Sequence, residues 1–281
     1  MDPTLTGTET FPDVTQTTFA DSTVFEAGRL LIAARERNLA EVFLAHLAEQ
    51  RPREEVGSIG DWVLLQNEPH LSVMIAKRVA REGMVVPKHY FPVVDLGVRP
   101  MPVPGELPLA IARRESEFDP IVKSGVGASG LMQLMPGTAK DVSRYLEIPY
   151  SKSRLTTDPT YNARLGTTYL DELMAWFDGN PVMVSAAYNA GPGRPLKWMK
   201  SLRNPLAGER DIIDWIEHVP FNETRNYIMR VTESLPVYRA RLTGEIEEIR
   251  FSEELISMPG HRRQAVKGRI LRPVPRPLAS N

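Results

Sequence analysis

The chain has 281 residues, a formal net charge of -1 at neutral pH, 42% hydrophobic and 25% charged residues, and no cysteine. That length can bury one large core or two smaller ones, and the composition is that of a globular protein. The charge balance argues against nucleic acid as the main partner, since phosphate-binding domains carry a basic excess, and the missing cysteines exclude disulfides, thiol nucleophiles and cysteine metal sites.

Residues 1–20 are rich in Thr and Asp and read as a flexible leader, with neither the basic start nor the apolar centre of a signal peptide. No apolar run approaches the ~20 residues that cross a bilayer. From Val24 to Glu49, Phe25, Leu30, Leu31, Ala34, Leu39, Val42, Phe43 and Leu47 recur at helical spacing, with a break near Asn38. Ser58–Glu82 gives two more helical pieces, with Pro69 starting the second and Gly83 closing it. Together 21–85 resembles one or two hairpins of a helical solenoid, too few to stand as an array. Residues 86–105 hold Pro87, Pro92, Pro100, Pro102 and Pro104, a density that predicts a connector without helix.

Helices are then expected at Leu107–Ser116, Gly137–Leu146, Pro159–Phe177 with Asp158 as its cap, Val182–Asn189, Asp211–His218 and Glu223–Leu242. Val122–Ser129 is the one candidate for a small extended ribbon. These elements define a domain over 106–245, followed by an extended, proline-rich tail over 246–281. Between His261 and Asn281 that tail carries Arg262, Arg263, Lys267, Arg269, Arg272 and Arg276 without an acid, and reads as solvated chain.

The stretch 113–133 concentrates the chemistry. Leu107, Ile111 and Glu115 are spaced by four, so the acid shares the helix face that meets the core. A carboxyl so placed is poorly solvated, keeps its proton to higher pH and can act as a general acid. The glycine-rich polar loop that follows offers backbone and amide groups suited to a neutral ligand. Gly125, Gly127 and Gly130 are turn residues; a phosphate cradle would need a Lys-Ser/Thr that is missing. Acid chemistry on a sugar follows. Glycosidases ordinarily use two carboxylates, yet Glu117 and Asp119 lie too near along the chain to face Glu115, and nothing aims Asp141 at it. No His-x-x-x-His or acid cluster calls for a metal, and no cofactor is expected.

Four segments in order carry a resemblance: Ala112-Arg113-Arg114-Glu115-Ser116; Gly127-Ala128-Ser129-Gly130-Leu131-Met132-Gln133-Leu134-Met135-Pro136; Ala187-Tyr188-Asn189-Ala190-Gly191-Pro192; and Glu217-His218-Val219-Pro220-Phe221-Asn222-Glu223-Thr224-Arg225-Asn226-Tyr227. Over about 100–245 the chain resembles the catalytic domain of the soluble lytic transglycosylases. The resemblance implies a mainly α, goose-lysozyme-like fold of the α+β lysozyme superfamily, here preceded by the short helical module. It implies cleavage of the β-1,4 bond between N-acetylmuramic acid and N-acetylglucosamine in peptidoglycan, leaving a 1,6-anhydromuramic end. The family's acid falls on Glu115, which acts as acid and then base while the substrate's own acetamido group supports the developing cation.

The same resemblance assigns substrate contacts to Ser116, Ser124, Gln133, Met135, Tyr188, Asn189, Glu217 and Tyr227. Tyr188 matches the tyrosine whose hydroxyl reaches the catalytic carboxyl, Ser124 a loop serine that touches the sugar, and Glu217 an acid that holds an N-acetyl group or peptide stem. Glu223 and Arg225 are expected to pair structurally, and His218 to be a bystander. Arg113-Arg114 departs from the more usual Arg-Gln, a change expected on the solvent side. The expected partner is a peptidoglycan strand, not nucleic acid, and that substrate points to the bacterial periplasm. Two other readings stay open: a goose-type lysozyme delivering water to the anomeric carbon, and a non-catalytic wall-binding scaffold that kept the groove.

Overall fold

The computed structural model describes residues 3–258; the basic tail from His261 lies outside the described residues. Residues 3–94, 117–119 and 237–247 form one compact unit, and residues 95–116, 120–236 and 248–258 form another.

The first unit is built on α1 (Thr23–Ala33), α2 (Arg37–Glu49), α3 (Arg53–Leu65), α4 (Pro69–Ala80) and the single turn α5 (Pro87–Tyr90). Ser22 caps α1 by accepting from the Val24 amide at 3.2 Å. Arg35, at φ 63°, turns the chain into α2, slightly before the break expected at Asn38. The α1–α2 and α2–α4 pairs pack over a core that includes Phe25, Leu44, Leu47, Ile59, Leu71 and Ile75. Leu30, Leu39 and Val42 face outward instead.

Two expectations fail in this unit. Residues 3–20 are no loose leader: Phe19 is fully buried with its ring 5.0 Å from that of Phe25, and Glu9 accepts from both terminal nitrogens of Arg53 at 2.6 and 2.8 Å. Burial of one aromatic ring outweighs the polar composition around it. The proline-rich stretch also contains α5, because Pro87 occupies a first-turn position where a missing N–H costs nothing. Residues 237–247 belong here as well, through Arg241, which donates to the carbonyls of Thr6, Lys88 and Phe91 at 3.0, 3.3 and 3.1 Å.

The second unit contains α6 (Glu106–Ser116), α7 (Pro136–Tyr145), α8 (Arg154–Thr157), α9 (Pro159–Trp176), α10 (Pro181–Ala190), α11 (Gly193–Ser201), α12 (Ile212–Glu217), most of α13 (Asn222–Thr243) and α14 (Phe251–Ile256). Helix α9 is the hub against which α6, α7, α8 and α10 pack. Asp158 caps it by accepting from the Tyr161 amide at 2.9 Å, and Pro159 opens it. Its stripe of Asn162, Leu165, Gly166 and Tyr169 is buried, at the spacing that keeps one helix face inward.

Helix α11 lies outside the predicted set. Gly191, at φ 81°, stops α10, yet the helix restarts at Gly193 and buries Pro195, Trp198 and Met199. Helix α14 sits in the segment expected to be extended: Leu255 is buried, and Asn180 donates to the carbonyls of Leu255 and Ile256 at 2.9 and 2.8 Å. Among the described residues no strand forms, and the loop of 122–134 holds only the isolated bridges Lys123–Ser129 and Ser129–Leu134.

Candidate active site

The position of Glu115 follows from the helix beneath it. Leu107 and Ile111 are fully buried on α6, and Glu115 comes next on that face, in the last turn of the helix. Beyond Ser116 the chain turns through two left-handed residues, Glu117 (φ 52°) and Phe118 (φ 65°), which end the helix. Glu115 is therefore held partly buried. Burial raises its pKa from 4.5 to about 7; the Tyr227 hydrogen bond and the Arg114 cation oppose that rise, and the Glu223 charge adds to it.

Tyr227, buried on α13, donates its hydroxyl to Glu115 Oε1 at 2.6 Å. Burial, with the Glu115 charge second, pushes this phenol well above its usual range, so it remains a donor. The assignment of the carboxyl-holding hydroxyl to Tyr188 is thereby corrected. Tyr188 donates instead to the Met132 carbonyl at 2.8 Å and sets its ring 5.5 Å from Tyr169.

The loop beside the acid is fastened from below. Asn162, fully buried, donates to the carbonyls of Ser129 and Leu155 at 2.8 and 2.9 Å and accepts from the Met132 amide at 2.9 Å. Gly130 has φ +79°, and a Cβ there would lie 1.8 Å from the Leu155 carbonyl oxygen, so only glycine fits. Asn162 is a site-shaping residue that the sequence reading missed. Its signal was a polar residue within an otherwise apolar stripe of α9, which demands buried partners.

Several predicted substrate contacts turn out to brace the loop. Ser116 is buried, and its hydroxyl lies 2.7 Å from the Leu131 carbonyl and 3.2 Å from that of Ala112. Ser124 Oγ accepts from the Ala128 amide at 3.0 Å. Gln133, at φ 45°, gives both amide donors to Val122 and Gly130 carbonyls at 3.0 and 2.9 Å. Its amide oxygen is then what it has to offer a ligand. Asn189 Oδ1 accepts from Thr224 at 2.7 Å, Met135 is 44% exposed, and Glu217 is an exposed residue ending α12.

The expected Glu223–Arg225 pair is replaced. Arg225 donates to the carbonyls of Glu217 and Val219 and to Asn222 Oδ1, while Glu223, exposed in the first turn of α13, bears on Glu115. His218 Nδ1 hydrogen-bonds the Asp214 carbonyl at 2.8 Å. Glu117 pairs with Lys77 in the first unit. Among the described residues no three His, Asp or Glu side chains gather as a metal-binding group.

Chemically, a carboxyl group titrating near neutrality can both give and take a proton at physiological pH. One fixed phenol donor steadies its ionised form, and a braced polar loop stands beside it.

Comparison with known proteins gives this arrangement a context. Residues 101–215 match the family model of the transglycosylase SLT domain. The chain is 44% identical over 138 residues to the soluble lytic murein transglycosylase of Escherichia coli K12, covering 49% of this chain and 21% of that protein. The crystal structure of the 70 kDa soluble lytic transglycosylase of Escherichia coli superposes with a TM-score of 0.70 at 30% identity, over 84% of this chain and 38% of that one. An inactive glutamate-to-glutamine variant of lytic transglycosylase Slt from Pseudomonas aeruginosa superposes with a TM-score of 0.64 at 30% identity, over 86% and 38% of the two chains. The chain thus spans about a fifth of the curated relative's length. The helical fold is the lysozyme-like fold of these enzymes.

Proposed function

We propose that this chain, a member of the soluble lytic transglycosylase family through the SLT domain of residues 101–215, cleaves the β-1,4 bond between N-acetylmuramic acid and N-acetylglucosamine in peptidoglycan, leaving a 1,6-anhydromuramic end. One observation carries the reading: Glu115, with its pKa raised to about 7, is pinned by the Tyr227 hydroxyl beside a braced polar loop.

In the forward step, protonated Glu115 gives its proton to the bridging oxygen as the C1–O bond breaks, and the departing sugar leaves as an alcohol. The substrate's 2-acetamido oxygen supports the positive charge on C1. Its 6-hydroxyl then attacks C1, and the Glu115 carboxylate takes the hydroxyl proton, which returns the acid to its starting state. Tyr227 strengthens its bond as the carboxylate forms and so stabilises the middle of the cycle. No water is consumed and no second carboxylate is needed. Glu223 has no bond-breaking role here; its charge helps keep Glu115 protonated. Gln133 through its amide oxygen, and Ser124, Met135, Asn189 and Glu217, line the sugar-binding side in this reading. That substrate puts the protein's work at the cell wall, in the bacterial periplasm. No helix among the described residues is long and apolar enough to cross a membrane.

The test compares two carboxyl-to-amide changes. Glu115→Gln abolishes lysis of purified walls while sparing wall binding, and Glu223→Gln keeps lysis. Equal lysis by Glu115→Gln, or a Glu223→Gln defect as severe, would overturn the single-acid reading.

A further inference from the structure

Arg114 lies next to Glu115 on α6, exposed, with its guanidinium carbon 5.7 Å from the centroid of the Tyr227 ring. That ring carries the hydroxyl bonded to Glu115 Oε1. A permanent cation therefore rests on the same phenol that holds the acid, at the distance of a cation–π contact. We propose that Arg114 is a positioning residue for the reaction: stacked on Tyr227, it steadies the phenol against Glu115 and supplies the positive charge that favours the carboxylate once the proton has been given away.

The groups that bear on Glu115 come from three helices. Tyr227 and Glu223 approach from α13, Tyr188 from α10, and Arg114 from its own α6, while the loop of 124–133 adds neutral side chains. Glu223 and Arg114 pull in opposite directions, and Arg114 is the cation of the set. Without it, burial and Glu223 act against Tyr227 alone, and Glu115 holds its proton to higher pH. The protonated, acid-competent form then persists to higher pH, while the carboxylate left after proton transfer is less stabilised. The departure from the usual Arg-Gln pair, expected to be a solvent-side detail, thus acts on the acid itself.

The consequence for rate rests on the lytic reading; the electrostatic coupling does not. The experiment is a carboxyl-carbon NMR titration of Glu115 in the full chain, run beside the pH profile of wall lysis. Arg114→Gln should raise the Glu115 midpoint and the alkaline limb of lysis by roughly half a pH unit at low salt. That difference should shrink toward physiological and higher salt, because an exposed charge is screened. Arg114→Lys should stay near the parent protein, and Arg114→Glu should move further than Arg114→Gln in the same direction. A midpoint unmoved in both Arg114→Gln and Arg114→Glu, or an equal shift in Arg114→Lys and Arg114→Gln, would overturn the proposal. A midpoint that moves as expected while the lysis profile stays fixed would uphold the coupling and overturn the role of Glu115 in lysis.

Discussion

Replacing Glu115 with glutamine should make the fold more stable at neutral and alkaline pH. The carboxyl's pKa rises from 4.5 to about 7 on folding, so between those values the folded chain binds a proton that the unfolded chain has lost. The stability tied to that proton is complete below pH 4.5, drains away as pH rises, and is gone above about 7. The rise from 4.5 to about 7, at roughly 1.4 kcal/mol for each pH unit, makes the whole loss about 3.5 kcal/mol. Glutamine has no proton to lose, fills the same space, and keeps an oxygen for Tyr227 to donate to. Urea unfolding of both proteins at about pH 4 and about pH 8, followed by tryptophan fluorescence, reads the difference directly. The advantage of Glu115→Gln should grow by about 3 kcal/mol between the two conditions. A gap that does not change with pH would refute the claim that burial governs this group.

Tyr227→Phe deletes the charge-assisted bond to Glu115, worth roughly 1.5–3 kcal/mol to the carboxylate, so the alkaline limb of lysis should move up by about 1–2 pH units; a pH–rate profile checks it. Asn162→Ala removes three buried hydrogen bonds under the loop and should destabilise the protein by roughly 2–4 kcal/mol while lowering lysis at temperatures where the fold survives, as thermal melts and a wall assay would register.

Much of the second unit was legible because its helices announce themselves locally. Asp158-Pro159 opens α9 and Gly191 closes α10, and the spacing of Leu107, Ile111 and Glu115 placed the acid at the dry end of α6. What was hidden depended on partners distant in sequence. Tyr188 and Tyr227 are both aromatic residues within recognisable motifs, and only the folded chain decides which hydroxyl meets Glu115 and which meets Met132. Gln133 reads as a ligand amide until the left-handed turn directs its nitrogen back to the loop. The N-terminal residues mislead for a related reason: only in the folded chain is their polar stretch pinned, by Phe19 against Phe25 of α1 and by Glu9 against Arg53 of α3. Short helices such as α11 and α14 are fixed by packing more than by propensity, so their sequences carry little warning.

Whether Glu115 works without water is read most directly from the mass of the products released from purified peptidoglycan, with the digestion run in oxygen-18 water. Muropeptides ending in 1,6-anhydromuramic acid, free of label, should be released, and none by Glu115→Gln. Reducing-end products, heavier by one water and carrying the isotope, would contradict the water-free role of Glu115.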